Sequence, residues 1–200
     1  MGPHTHLKYK ICVSGAAETL HCAPNALEDT KELGREIIRQ GAVLVTGATT
    51  GAPLWAAIGA KEVNGFVVGL SPASSELEHV KKYRLPIDYH DIIIYTGFGY
   101  AGRNLMLTRA ADAVVITCGR MGTLNEFTIA FEDEKPIGVL TQTGGIADEI
   151  KDIIAKANRG SGKVAFDSNP KLLIEKVFEL IQREKVSDAP LSRKSSARKK

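Results

Sequence analysis

Four side chains, Arg103, Arg120, Thr123 and Glu126, have the types and spacing to do chemistry, and two glycines, Gly119 and Gly122, flank the second arginine and the threonine. A glycine-bearing turn lets backbone approach a ligand, and a helix opening after it offers free N–H groups and a positive dipole end to an anion. Arginines at helix starts are disfavoured by about 0.3–1 kcal/mol. Arg103, after the glycine-rich segment 97–102, and Arg120 both fall at expected helix starts, so an anionic ligand between them is the simplest remedy. Phosphate suits this place. Thr123-Leu124-Asn125-Glu126 also fits a capping box, in which Glu126 would only satisfy its own helix start.

The elements that position these residues follow an alternating pattern, which predicts an α/β, Rossmann-like doubly wound, mainly parallel sheet with helices on both faces. Strands are expected near 9–13, 42–45, 66–70, 91–95, 113–117, 137 and 164. The run Ala113-Val114-Val115-Ile116-Thr117 is apolar throughout, as a central strand covered on both faces must be. Helices are expected from Pro24-Asn25 to Gly41, with Asn25 and Glu28 in capping-box spacing, and over 53–60, 103–111, 123–131, 146–156 and 171–183. Right-handed crossovers then bring four loops to the carboxyl edge of the sheet: Ser14-Gly15; Gly47, Thr49, Thr50 and Gly51; Gly99 and Gly102; and Gly119, Arg120, Met121, Gly122 and Thr123.

At these residues the chain resembles the Lonely Guy, or "lysine decarboxylase-like", superfamily, whose signature is PGGxGTxxE with an arginine on the preceding helix. Arg103 and Glu126 stand 23 positions apart, the family's register. Ile11 to Gly15, Val45 to Gly51, Ala111-Asp112-Ala113 and Lys135 to Leu140 are similar to other family segments, so the likeness spans roughly 8–181. Cys118-Gly119-Arg120 departs from PGG, and Asn104 stands where cytokinin-activating members carry lysine. The Gly102-Arg103-Asn104 context resembles the neighbouring molybdenum cofactor carrier branch.

The resemblance implies two functions. One is a nucleoside 5′-monophosphate phosphoribohydrolase, in which Glu126 steadies an oxocarbenium-like transition state and orients water, Arg103 keeps Glu126 ionised, and no cofactor is required. The other is a non-catalytic carrier of molybdenum cofactor or another phosphorylated ligand, favoured by Arg120 in place of a glycine. A bound nucleotide, phosphate or molybdopterin-type ligand fits either, and a vestigial site is a third outcome. The resemblance also favours a homodimer or dimer-based tetramer, since the helices around Leu105-Met106-Leu107 and Phe127-Ile129-Phe131 are apolar over much of their circumference.

Composition sets the outer bounds. Two hundred residues, 44% hydrophobic and 24% charged, suit one globular domain, placed at 1–184, followed by a basic disordered tail at 185–200. That tail holds six basic residues and one acid, a net +5 against +3 for the whole chain, which leaves −2 for residues 1–184 and disfavours nucleic acid as a partner. No apolar run is long enough for a membrane span and no leader pattern is visible, so a cytoplasmic protein without membrane contact is expected. Met1 to His4 reads as partly a cloning remnant. Cys12, Cys22 and Cys118 are odd in number and lack CxxC spacing, which argues against a disulfide framework and against zinc. No metal is assigned to His4-Thr5-His6 or His21-Cys22, and Cys118 is read as a small residue tolerated at the loop rather than a nucleophile.

Overall fold

The computed structural model describes residues 7–187. Seven strands form one sheet: β1 (Lys10–Gly15), β2 (Val43–Thr46), β3 (Val67–Ser71), β4 (Ile92–Tyr95), β5 (Ala113–Thr117), β6 (Ile137–Leu140) and β7 (Val164–Asp167). Every pairing is parallel, in the order β4-β3-β2-β1-β5-β6-β7. Seven helices connect and follow them: α1 (Ala26–Arg39), α2 (Ala52–Glu62), α3 (Glu76–Lys81), α4 (Gly99–Ala110), α5 (Met121–Glu132), α6 (Ile146–Ala157) and α7 (Pro170–Ser187).

Strand periodicity divides the core in two. Ile11, Val13, Ala113 and Val115 point to the face covered by α1, α2 and α7, where Leu33, Ile37, Ala56, Leu173 and Val177 meet them. Cys12, Val114 and Ile116 point the other way, against Leu107 of α4, Phe127 and Ala130 of α5 and Ile150 of α6. The α1–α2 contact is close because both helices offer glycine at it. A Cβ on Gly34 would lie 2.0 Å from the Ala56 carbonyl oxygen, and one on Gly59 1.9 Å from that of Lys31.

The chain leaves β1 toward β2, β3 and β4, then returns to lay β5 on the opposite side of β1. That reversal is the switch point at which open α/β sheets leave a crevice beyond their strand ends. The register Ser14↔Ile116 and Gly15↔Thr117 brings the first loop and the Cys118 loop out side by side there.

Several boundaries differ from expectation. α3 was not anticipated, and α1 starts without an Asn25 side-chain cap. α4 begins at Gly99, four residues before Arg103, because glycines 99 and 102 enter the helix rather than a loop. α7 runs to Ser187, three residues into the segment assigned to the tail; the rest of that tail, and His4-Thr5-His6, lie outside the described residues.

Candidate functional site

Glu126 is the centre of the site. It lies in the second turn of α5, buried against β1, and both its oxygens are held. Arg103 Nη1 donates to Oε1 at 3.0 Å and the Ser14 hydroxyl donates to Oε2. With the Asn104 amide nitrogen turned toward the carboxylate, it donates to Oε1 at 2.8 Å and to the Tyr100 carbonyl at 3.0 Å. Glu126 therefore points at the cleft and not at its own helix start, which removes the capping-box alternative. α5 begins at Met121, so Thr123 is already inside the helix.

Burial pushes the Glu126 carboxyl above its ordinary value, outweighing the lowering effects of Arg103 and of the Ser14 hydrogen bond. Burial likewise raises the neighbouring Cys12 thiol, with the Glu126 charge adding to it. Arg103 and Glu126 form an ion pair with both side chains 7% exposed. Such a pair contributes less by its attraction than it would cost to break, about 3–5 kcal/mol for an orphaned buried charge.

Room for the guanidinium comes from Gly47. A Cβ there would sit 2.1 Å from Arg103 Nη1, so the arginine requires glycine at this loop position. The face of α4 that carries it is read at helical spacing: Tyr100, Arg103, Asn104 and Leu107 fall at i, i+3, i+4 and i+7, and the Arg103 guanidinium lies 5.9 Å from the centre of the Tyr100 ring.

A cleft of about 360 Å³ opens over this pair at the switch point. Of the residues singled out in the sequence, Ser14, Gly15, Gly47, Thr49, Arg103, Arg120, Gly122, Thr123 and Glu126 line it. Thr50, Gly51, Gly99, Gly102, Gly119 and Met121 do not. Thr50 instead donates to the Ala17 carbonyl, the Gly119 carbonyl accepts from Ile146, and the Met121 side chain is exposed. The walls missed in the sequence include Glu18, Tyr100 and Asn104. The helical spacing of Tyr100 and Asn104 around Arg103 was the signal that could have found them.

The two arginines are not both unpaired cations awaiting a ligand. Arg103 sits within α4 and is matched by Glu126; Arg120, at the start of α5, pairs with Glu18 at 2.9 Å across exposed side chains. Arg103 Nε is buried and has no hydrogen-bond partner among the described residues. The start of α5, where Gly122 and Thr123 line the cleft, carries no side-chain cap, so its first N–H groups are not satisfied by the capping residue.

The cysteines contradict the sequence expectation. Cys22 and Cys118 form a disulfide across 96 positions, with Cα atoms 5.6 Å apart. No local spacing betrays it, because the pairing is made by topology: β5 ends beside the loop between β1 and α1. Cys12 is the free, buried third.

Fold and site together define a Rossmann-like protein with a cleft at its sheet switch point. A family model, the SLOG cluster4 family, matches residues 8–174, and the chain belongs to that family, in agreement with the Lonely Guy-like resemblance. An uncharacterised protein of Archaeoglobus fulgidus is 31% identical over 131 residues, 66% of this chain and 79% of that one. Among solved structures, the molybdenum cofactor binding protein from Rippkaea orientalis is 29% identical, with a TM-score of 0.70 over 90% of this chain and 99% of that one. The Moco carrier protein from Chlamydomonas reinhardtii is 26% identical, with a TM-score of 0.73 over 88% and 99%. No helix among the described residues is long and apolar enough to cross a membrane.

Proposed function

We propose that this protein binds a phosphorylated small molecule in the switch-point cleft without transforming it, and that its ligand is of the molybdenum cofactor type. The observation that carries this reading is the uncapped start of α5 at the cleft, where Gly122 and Thr123 line the wall together with Arg103. A helix start beside an arginine suits a phosphate. Ser14, Thr49 and Thr123 supply further polar contacts along the wall, and Arg120 adds a cation at the mouth. The likeness to a molybdenum cofactor binding protein and to a Moco carrier protein supports the choice of ligand.

Binding is favoured over hydrolysis because each oxygen of Glu126 already accepts a hydrogen bond from a side chain of the protein, which ties the carboxylate to Arg103 and Ser14. A carboxylate that must orient water does so with the lone pairs such bonds leave over. Phosphoribohydrolase activity remains the second reading, favoured by one observation: a buried carboxyl with a raised pKa in a ligand-sized cleft is the usual setting of an acid–base group.

The discriminating experiment incubates the protein with purine and cytokinin nucleoside 5′-monophosphates and follows free base by chromatography, with native mass spectrometry of the purified protein alongside. A retained pterin phosphate and no released base is the expected result. Turnover that Glu126→Ala abolishes would replace the carrier with the hydrolase.

The same reading puts the protein in the cytoplasm, as a single domain that takes in α7 through Ser187, and in a homodimer or dimer-based tetramer. Ile92 and Ile94, two apart on the edge strand β4, and Leu105 and Met106 on α4 are 38–49% exposed. A second copy of the chain is the occupant that would cover them.

A further inference from the structure

His21, Cys22 and Cys118 bring one imidazole nitrogen and two sulfurs to within 4.8 Å of one another, beside the turn that leads into α5 but outside the lining of the cleft. His21 Nε2 lies 3.6 Å from Cys118 Sγ and 3.3 Å from the Gly119 carbonyl oxygen. A tetrahedral zinc ion with sulfur ligands near 2.3 Å and nitrogen near 2.0 Å sets its N···S edge at about 3.5 Å and its S···S edge at about 3.8 Å. The imidazole thus already stands near that N···S edge length from Cys118 Sγ, with Cys22 Sγ inside the same 4.8 Å cluster, and the two sulfurs must part. We propose that reduction of the Cys22–Cys118 disulfide creates a binding site for a thiophilic d¹⁰ cation, with Zn²⁺ as its representative, held by His21, Cys22 and Cys118.

The ligands stay together without the S–S bond. The segment around Cys22 pairs with Gly144 as an antiparallel bridge, Ala23 N–H donates to the Thr143 carbonyl at 2.9 Å, and Cys118 N–H donates to the Thr143 hydroxyl at 2.8 Å. Thr143 therefore grips both sides of the cluster. Access is open from His21, which is exposed, and from Cys22, which is half-buried.

The chemistry balances in two steps. A dithiol reductant passes two electrons to the Cys22–Cys118 bond and is itself oxidised to a disulfide, leaving two protein thiols. Those thiols then lose two protons as Zn²⁺ binds, and neutral His21 supplies the third ligand. Three protein ligands leave one coordination position for water or a small molecule. In the oxidised protein both sulfurs are spent on each other, so metal binding and the disulfide exclude one another.

The test compares oxidised and reduced full-length protein, freed of reductant under anaerobic conditions and titrated with Zn²⁺ against a chromophoric chelator. Reduced protein is expected to take up one equivalent, and oxidised protein to bind at least about 100-fold more weakly. Cys22→Ser should cost about 100-fold, His21→Ala about 10-fold, and Cys12→Ala nothing. Co²⁺ in place of zinc should give a thiolate charge-transfer band in the reduced protein alone. Equal uptake by both redox forms, or uptake indifferent to Cys22→Ser and His21→Ala, overturns the site. The comparison of redox forms holds even where a substitution harms folding, and circular dichroism of the reduced protein reports whether it remains folded.

Discussion

Arg103 serves two masters, and its replacement should expose both. Its Nη1 donates to Glu126, and the same residue lines the cleft in which a ligand is proposed to bind. Arg103→Ala should weaken phosphate-ligand affinity by at least about tenfold, as expected for loss of a charge-assisted bond, and lower stability by about 3–5 kcal/mol by stranding the carboxyl. Adding Glu126→Gln should return most of the stability and none of the affinity. Calorimetry and denaturant titration on the single and double variants separate the two effects, and unchanged affinity would move the ligand elsewhere.

The raised pKa of Glu126 gives that residue a pH signature. Its folded pKa lies above its unfolded one, so its contribution to stability is fully present below the ordinary glutamate range and lost as pH rises through the folded value. The same ionisation sets a negative charge beside the cleft. Wild-type affinity for a phosphorylated ligand should therefore fall relative to that of Glu126→Gln as pH rises above the ordinary glutamate range, a comparison in which the ligand's own titration cancels. Parallel profiles would mean that Glu126 does not titrate in this range. The separation of 23 positions makes the Arg103–Glu126 relation legible in the amino-acid sequence. Gly47 is not legible in the same way, since a glycine that admits an arginine looks identical in sequence to one that admits a phosphate.

Among the elements, the α1–α2 contact rests on Gly34 and Gly59 more than on large side chains. Gly34→Ala drives a methyl into the Ala56 carbonyl and should destabilise by about 1–3 kcal/mol, read as a lower denaturation midpoint at unchanged slope. An unchanged midpoint would mean that the helices part at no cost. β5 was readable to the residue because its five positions are all buried and nearly all apolar. α3 was missed although Ser75 and Glu78 hold cap spacing and the Glu78 N–H does bond the Ser75 hydroxyl, because six residues are too few to show a period. The start of α4 was misplaced for the opposite reason: its glycines look like loop residues and are helical here. The Cys22–Cys118 link had no local signal at all, being a product of which strand ends beside which loop.

For the molecule as a whole, the inference of a second copy rests on apolar area that the sheet and its own helices leave uncovered. Sedimentation at micromolar concentration should give the mass of a dimer or a dimer-based tetramer, and Leu105→Glu combined with Met106→Glu a monomer with its fold retained. A monomer in the wild type removes the homodimer.

The Arg103–Glu126 pair also bears on the order in which this chain can assemble. Its members and their immediate neighbours come from residues 14, 47, 103 and 126, on four separate segments. None of the local helical or strand–helix units can complete it alone. Until β1 is seated beside β5 and the Gly47 turn has formed, burying either charge costs more than it returns, so closure of the site must await the long-range contacts at the centre of the sheet. The pocket is thus a late-maturing part of the molecule, and a phosphorylated ligand present during refolding would recognise only chains whose central strands are already in register.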